Sequence, residues 1–326
     1  MRVLALTFGN AAQASSFYRI FQYIAPLREA GIELSAVPAD SFSEWSRLPE
    51  YDAVIVQKKL FSLGKVRLLR HRAKALVYDV DDAIWHPHGR RHSWFTTLRA
   101  GLRLRAIIRA AHLTLAANEV LAAHLRPHAT RLTVLPMALD ETAWTPHPAS
   151  AAHNPVLGWS GHPVNLPYLE AIEPALLALR AEFPNARLAV FSGQPPRFRE
   201  MPFDLIPFQA GAEPEALRTF DVGLLPLPEG AFAEGKSPIK GIQYMACGIP
   251  TVLPPRGAAH AMFRAGETAL FATTPAEWTA ALGKLLRDPA LRHRMGAEAR
   301  RDFEVHHTVS AAAARLKDLL KSLAPA

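Results

Sequence analysis

Short unbroken apolar runs alternate along the chain with longer stretches whose apolar residues recur at helical spacing. "RVLALTF" (2–8) predicts a strand, "SSFYRIFQYIAPLREAG" (15–31) a helix stopped by its glycine, and "IELSAVP" (32–38) a second strand. "DAVIVQ", "KALVYDV", "LTLAAN" and "LTVLP" follow as further buried strands with helical matter between them. Parallel strands joined by crossover helices are what this alternation implies.

Residues 140–155, "DETAWTPHPASAAHNP", have no apolar period and predict a linker. The alternation then restarts. "PVLGWSG", "ARLAVFSG", "VGLLPL" and "PTVLPP" predict strands, and "LPYLEAIEPALLALRAEFP", "EALRTF", "IKGIQYMACG" and two stretches within 275–302 predict helices. The expected fold is α/β: two Rossmann-like doubly wound parallel-sheet domains, 1–145 and 146–308, facing across a cleft. An amphipathic C-terminal helix in 309–326 closes the chain and packs back on the N-terminal domain. Ligands of such sheets sit outside the carboxyl ends of the strands.

Composition agrees with two cores, since 326 residues at 49% hydrophobic can bury one in each half. No apolar run reaches the roughly 18 residues of a membrane span. The start, "MRVLALTFGN", reads as a first strand rather than a signal peptide, so the expected location is the cytoplasm. The single cysteine, Cys247, excludes an internal disulfide and reads as a small buried thiol.

The formal charge of +8 is concentrated. Between Lys65 and Arg109 lie Arg67, Arg70, Arg72, Lys74, Arg90, Arg91, Arg99, Arg103 and Arg105, against Asp79, Asp81 and Asp82. No zinc-finger spacing, RNP-type motif or helix-turn-helix accompanies the patch, which argues against nucleic acid. On a helical wheel of "SWFTTLRAGLRLRAIIRAAH" (93–112), Leu104, Ile107 and Ile108 face inward, while the arginines share an arc with Leu98 and Leu102. Such an arc suits peripheral contact with anionic membrane at its inner face, or is a solvated charged surface.

Late in the chain, "EGKSPIKG" (234–241) joins a strand end to a helix start. A helix N-terminus offers unpaired N–H groups and partial positive charge, which suits phosphate. Gly235 permits close approach of the backbone, Pro238 fits a first helical turn, and Lys236 and Lys240 add charge. The G-x-x-x-x-G-K-[ST] spacing of a Walker A loop is absent, and the first βα turn, "TFGNAAQASSFYR", lacks G-x-G-x-x-G. Kinase and dehydrogenase readings lose their support there.

The stretch "DVGLLPLPEGAFAEGKSPIKGIQYMACGIPTV" (221–252) resembles the donor-binding core of retaining family 4 glycosyltransferases of the GT-B fold, in the subset with a G-K-S-P-x-K loop. "SSFYRIFQYIAPLREAGIEL", "VYDVDDAIW", "LTLAANEVLAAHL" and "GWSGHPVNLPYLEAIEPAL" resemble further stretches of that family, so the resemblance runs over nearly the whole chain. It implies a nucleotide-sugar donor held mainly by the second domain and an acceptor, a glycan or lipid-linked sugar, held by the first. The family's two glutamates eight residues apart become Glu234 and Gln243, nine apart, and a glutamine can still exchange hydrogen bonds with ribose hydroxyls.

Charge grows on the departing diphosphate during transfer, so fixed positive groups are the main requirement. The donor and phosphate candidates are Gly9, Asn10, Ser160, Gly161, His162, Gly235, Lys236, Ser237, Lys240 and Gln243. Arg19, Asp82 and Glu234 are the catalytic candidates, and Asp79 and Asp81 lie on the acceptor side. The competing reading of Arg19 is a helix-surface arginine, and of Asp79 or Asp81 a turn residue. With retention, the leaving phosphate itself can take the acceptor proton. "DVDD" raises a manganese site, but the two-domain organisation favours metal-free transfer with no cofactor. His86, His88 and His92 read as a solvated loop rather than zinc ligands. Two alternatives to a transferase stay open: a catalytically silent nucleotide-sugar-binding module, and a nucleotide-sugar epimerase of the same architecture.

Overall fold

In the computed structural model of the chain, residues 1–86, 93–146, 154–227 and 229–323 are described, the side chains of 231 and 232 excepted. They form two compact units. One is Met1–Ala138 with Gly230–Ser237 and Val309–Ala326; the other is Leu139–Glu229 with Pro238–Thr308.

The first unit begins β1 (Arg2–Thr7), α1 (Ala14–Arg19), α2 (Ile24–Glu29), β2 (Glu33–Pro38), β3 (Ala53–Gln57), α3 (Leu63–Arg72) and β4 (Leu76–Val80). It continues α4 (Trp94–Ala110), β5 (Leu113–Ala116), α5 (Glu119–Leu125) and β6 (Leu132–Val134). The sheet is parallel, in the order β2-β1-β3-β4-β5-β6. Every residue of β3, β4 and β5 is buried, which is why these strands read as mostly apolar runs rather than alternating ones.

The second unit contains β7 (Val156–Ser160), α6 (Leu166–Glu170), α7 (Glu173–Glu182), β8 (Arg187–Ser192), β9 (Asp204–Pro207), α8 (Glu213–Leu217) and β10 (Val222–Leu224). The chain then contributes α9 (Ala231–Gly235) to the first unit. It returns as α10 (Ile239–Ala246), β11 (Thr251–Leu253), α11 (Gly257–Met262), β12 (Ala269–Phe271), α12 (Pro275–Arg287) and α13 (Pro289–His306). The second sheet is also parallel, ordered β12-β11-β10-β7-β8-β9. Last, α14 (Val309–Lys321) joins the first unit, where Val309, Ala312, Ala313, Leu316 and Leu320 pack into the core of Val3, Ala5, Ile20, Tyr23 and Leu27.

Prolines break two of the expected helices. Pro26 has no N–H for the carbonyl of Gln22, and the helix expected over 15–31 becomes α1, a 3-10 turn at Phe21–Tyr23 and α2. Pro174 likewise separates α6 from α7. The expected linker also differs. Trp144 is buried and its carbonyl accepts from Arg300 Nη1 at 2.7 Å, so the first residues of that segment are packed into the second unit. Residues 147–153 of that segment lie outside the described residues.

On α4, Leu104, Ile107 and Ile108 are buried, while Trp94, Phe95, Leu98 and Leu102 are exposed. No helix among the described residues is long and apolar enough to cross a membrane.

Candidate functional site

Strand order in the second unit reverses between β7 and β10, and ligands of doubly wound sheets sit at the carboxyl ends of such neighbours. Tyr244 of α10 spans this point: its Oη accepts from Ser160 N–H at 3.0 Å and donates to the Leu224 carbonyl at 3.2 Å. Two glycines make room. Gly158 and Gly223 are register partners; a Cβ on the first would lie 1.9 Å from the Phe220 ring, and on the second 2.6 Å from the Tyr244 ring.

The N-terminus of α10 has no side-chain cap, so its leading N–H groups are not occupied by a capping side chain. Lys240 stands in its first turn, half-buried, with no hydrogen bond or ion pair among the described residues. Burial pushes its ammonium down to about 8, with only Glu213 acting the other way. Gln243 follows three residues on, on the same helix face. Its Oε1 is buried without a partner among the described residues, as is Ser160 Oγ at the end of β7. A buried polar atom left unpaired costs about 1–3 kcal/mol. A ligand bringing an anion for Lys240 and hydroxyls for Gln243 and Ser160 removes those deficits.

Beside them, Gly161 has no space for a side chain, since a Cβ would lie 2.5 Å from the Trp159 ring. His162 is exposed, and its Nδ1 accepts from Val164 N–H at 3.2 Å, capping the 3-10 turn Pro163–Asn165. Cys247 is buried and its thiol is pushed up to about 12 by that burial, which leaves it unreactive.

In the first unit the order reverses between β1 and β3. Gln57, the last residue of β3, ties the two strand ends together. Its Oε1 accepts from Phe8 N–H and Ser16 Oγ, both at 3.0 Å, and its Nε2 donates to the Ser15 carbonyl at 3.1 Å. Gly9 N–H donates to Ser16 Oγ at 3.0 Å and its carbonyl accepts from Thr7 Oγ1 at 2.7 Å, while Asn10 Oδ1 accepts from Ala12 N–H at 3.1 Å. These groups are committed to the turn itself.

Arg19 departs from both expectations for it. It is neither at the surface nor free for a phosphate: it is fully buried, paired through two nitrogens with Asp79, and its Nη1 donates to the Leu135 carbonyl at 2.6 Å. Asp79 is correspondingly a core residue rather than an acceptor-side one. The other two carboxylates of "DVDD" meet Lys58, whose Nζ is 3.2 Å from Asp81 Oδ1 and 2.9 Å from Asp82 Oδ2. Asp81 also accepts from Ser15 Oγ, and burial together with the Asp82 charge pushes its carboxyl above the usual range. Lys58 and Gln57 carry no recognisable motif; their one signal is a polar pair at the end of a buried strand.

The "EGKS" segment groups with the first unit. Asn118, the N-cap of α5, donates through Nδ2 to the Gly235 carbonyl at 3.1 Å and to Ser237 Oγ at 2.9 Å. A Cβ on Gly235 would lie 2.9 Å from both Ala83 Cβ and Leu121 Cδ2. That glycine is explained by packing rather than by approach to a phosphate, and Ser237 Oγ already has a partner. Lys236 is exposed, and Glu234 is half-buried with no ion pair among the described residues. His88 and His92 lie outside the described residues, and among those described no group of three or more His, Cys, Asp or Glu could hold a metal ion.

Residues 212–318 match a family described as "Glycosyl transferase-like". No curated protein matches the chain. Among solved structures, sucrose-phosphate synthase from Thermosynechococcus elongatus superposes with a TM-score of 0.74 at 15% identity, covering 99% of this chain and 98% of that one. Anabaena Alr3699/HepE in complex with UDP gives a TM-score of 0.74 at 15% identity, covering 99% and 100%. WaaG, a glycosyltransferase involved in lipopolysaccharide biosynthesis, gives 0.66 at 13% identity, covering 98% and 99%. The two parallel six-stranded sheets are those of GT-B glycosyltransferase structures.

Proposed function

We propose that the chain is a metal-free, retaining family 4 glycosyltransferase. It takes a nucleotide-sugar donor at the carboxyl strand ends of its second unit and transfers the sugar to a glycan or lipid-linked acceptor. The observation that supports this most directly is the pairing, on one face of α10, of an ammonium with no ion pair and a buried amide oxygen with no donor among the described residues. A diphosphate suits the first and a ribose hydroxyl the second. The GT-B fold and the family match over 212–318 support the same assignment.

Lys240 and the leading N–H groups of α10 offset the charge that grows on the diphosphate as its bond to the anomeric carbon breaks. The acceptor oxygen bonds to that carbon, and the hydroxyl proton passes to the departing phosphate. Asp82, the more open carboxylate of the first unit's strand ends, receives acceptor hydroxyls. Work at the cytoplasmic face of a membrane, in polysaccharide or glycoconjugate synthesis, fits the exposed Trp94, Leu98 and Leu102 beside Arg99 and Arg103 on α4.

A panel of UDP-, GDP- and ADP-sugars tests the assignment. Acceptor-dependent release of the nucleoside diphosphate supports it. Product formed without acceptor identifies an epimerase, and binding without turnover a silent module.

A further inference from the structure

Lys58 bears two energetic penalties at once. Its backbone lies at φ 38°, the only non-glycine residue at positive φ among the described residues, a region that costs an L side chain about 1–3 kcal/mol. The turn is held by its own N–H, which donates to the Asp79 carbonyl at 2.7 Å. Its side chain, 7% exposed, carries an ammonium out of water. Burial alone lowers the ammonium's pKa, but Asp81 and Asp82 outweigh it and the net shift is upward. Glycine would adopt this backbone freely, and an outward lysine would keep its hydration. The ion pairs with Asp81 and Asp82 offset the burial, so the strained backbone is borne for what this side chain holds.

What the side chain does is divide two carboxylates. Asp81 is sealed, held by Ser15 Oγ and Lys58. Asp82 is 26% exposed and fixed by the shorter Lys58 contact of 2.9 Å, so it is the member a ligand can reach. Beside it the Phe8 ring, 46% exposed, lies 4.9 Å from Lys58 Nζ. An open carboxylate next to an open aromatic face suits the hydroxyls and the apolar face of a sugar. A bare phosphate would meet two carboxylates against one ammonium.

We propose that Lys58 is the positioning residue of the acceptor subsite: resting on the transferase assignment, it orients Asp82 beside Phe8 to receive the hydroxyls of a neutral sugar. The acceptor is accordingly a glycan or glycolipid terminus rather than a lipid phosphate. The charged and titratable groups around Asp81 are Asp79 and Asp82 of its own segment, Lys58 after β3, Arg19 of α1 and Tyr78 of β4.

The test measures transfer from the UDP-, GDP- and ADP-sugar panel to octyl glycosides of glucose, galactose, mannose and N-acetylglucosamine, and to undecaprenyl phosphate. Wild type, Lys58→Met, Lys58→Gly and Lys58→Arg are compared, with calorimetric UDP titration of each. The expected result is transfer to a glycoside. In Lys58→Met and Lys58→Gly, kcat/KM for that acceptor falls about 10²-fold, as for a misplaced reacting group, with UDP affinity unchanged. The acid limb of the rate profile moves to higher pH in both, because Lys58 holds down the Asp81 carboxyl, and Lys58→Arg keeps the wild-type limb. Lys58→Gly also relieves the backbone, so a loss of rate there cannot come from strain. Preference for undecaprenyl phosphate, or wild-type kcat/KM and acid limb in Lys58→Met, overturns the role of Lys58. A wild type that neither binds UDP nor turns over any donor removes the transferase assignment beneath it.

Discussion

Arg19 Nε donates to Asp79 Oδ2 at 3.1 Å inside the first unit, and the same guanidinium reaches the Leu135 carbonyl, so one side chain joins α1, β4 and the end of β6. Removing one partner of a buried pair leaves the other charge uncompensated, which typically costs about 3–5 kcal/mol. Arg19→Leu is expected to lower the unfolding free energy by that amount in urea titration. UDP affinity of the folded protein should not change, because the guanidinium has no open face.

Lys240 sets a pH signature for ligand binding. Its folded pKa of about 8 lies below the ordinary 10.5, so between those values the unfolded chain holds a proton that the folded one lacks. The penalty of burying the ammonium is complete below the folded value and fades as pH rises toward the unfolded one. An anion placed beside Lys240 reverses the shift. UDP binding near pH 9 should therefore take up a proton, seen as calorimetric heats that differ between buffers of unlike ionisation enthalpy. Lys240→Ala should abolish the uptake and weaken UDP binding about 10- to 100-fold, the worth of one charge-assisted hydrogen bond.

Gly158 and Gly223 make a steric prediction. Since the Phe220 ring stands 1.9 Å from where a Cβ on Gly158 would be, Gly158→Ala must displace that ring. Overpacking of this kind costs about 1–3 kcal/mol or more. Combining it with Phe220→Leu should recover part of the loss in thermal unfolding, whereas two independent defects would add.

The fold was legible where burial is uniform: the fully buried β3, β4 and β5 could not be mistaken. It was illegible where pattern and burial part. Edge strand β9 is mostly exposed and ends in Pro207, so it shows neither an apolar run nor alternation. Lys240 and Gln243 stand out in the sequence because a loop-to-helix pattern has a local signature. Lys58 has none; its meaning comes from Asp81 and Asp82, more than twenty residues away. Arg19 failed for the opposite reason, since helical spacing cannot tell a basic residue at the surface from one buried against a partner supplied by another strand.

The exposed face of α4 predicts lipid binding. With roughly 1 kcal/mol contributed by each arginine near an anionic surface, Arg99→Glu with Arg103→Glu should cut co-sedimentation with phosphatidylglycerol vesicles at least 10-fold. Neutral phosphatidylcholine vesicles should bind weakly either way. Undiminished binding of the variant to the anionic vesicles would show that this helix does not make the contact.

The most direct measurement of the central claim is a crystal structure of the protein with UDP bound. The account predicts phosphate oxygens within hydrogen-bond distance of Lys240 Nζ and the first N–H groups of α10, and a ribose hydroxyl on Gln243 Oε1. UDP bound away from α10, or Lys240 and Gln243 left without contact to it, would contradict the account.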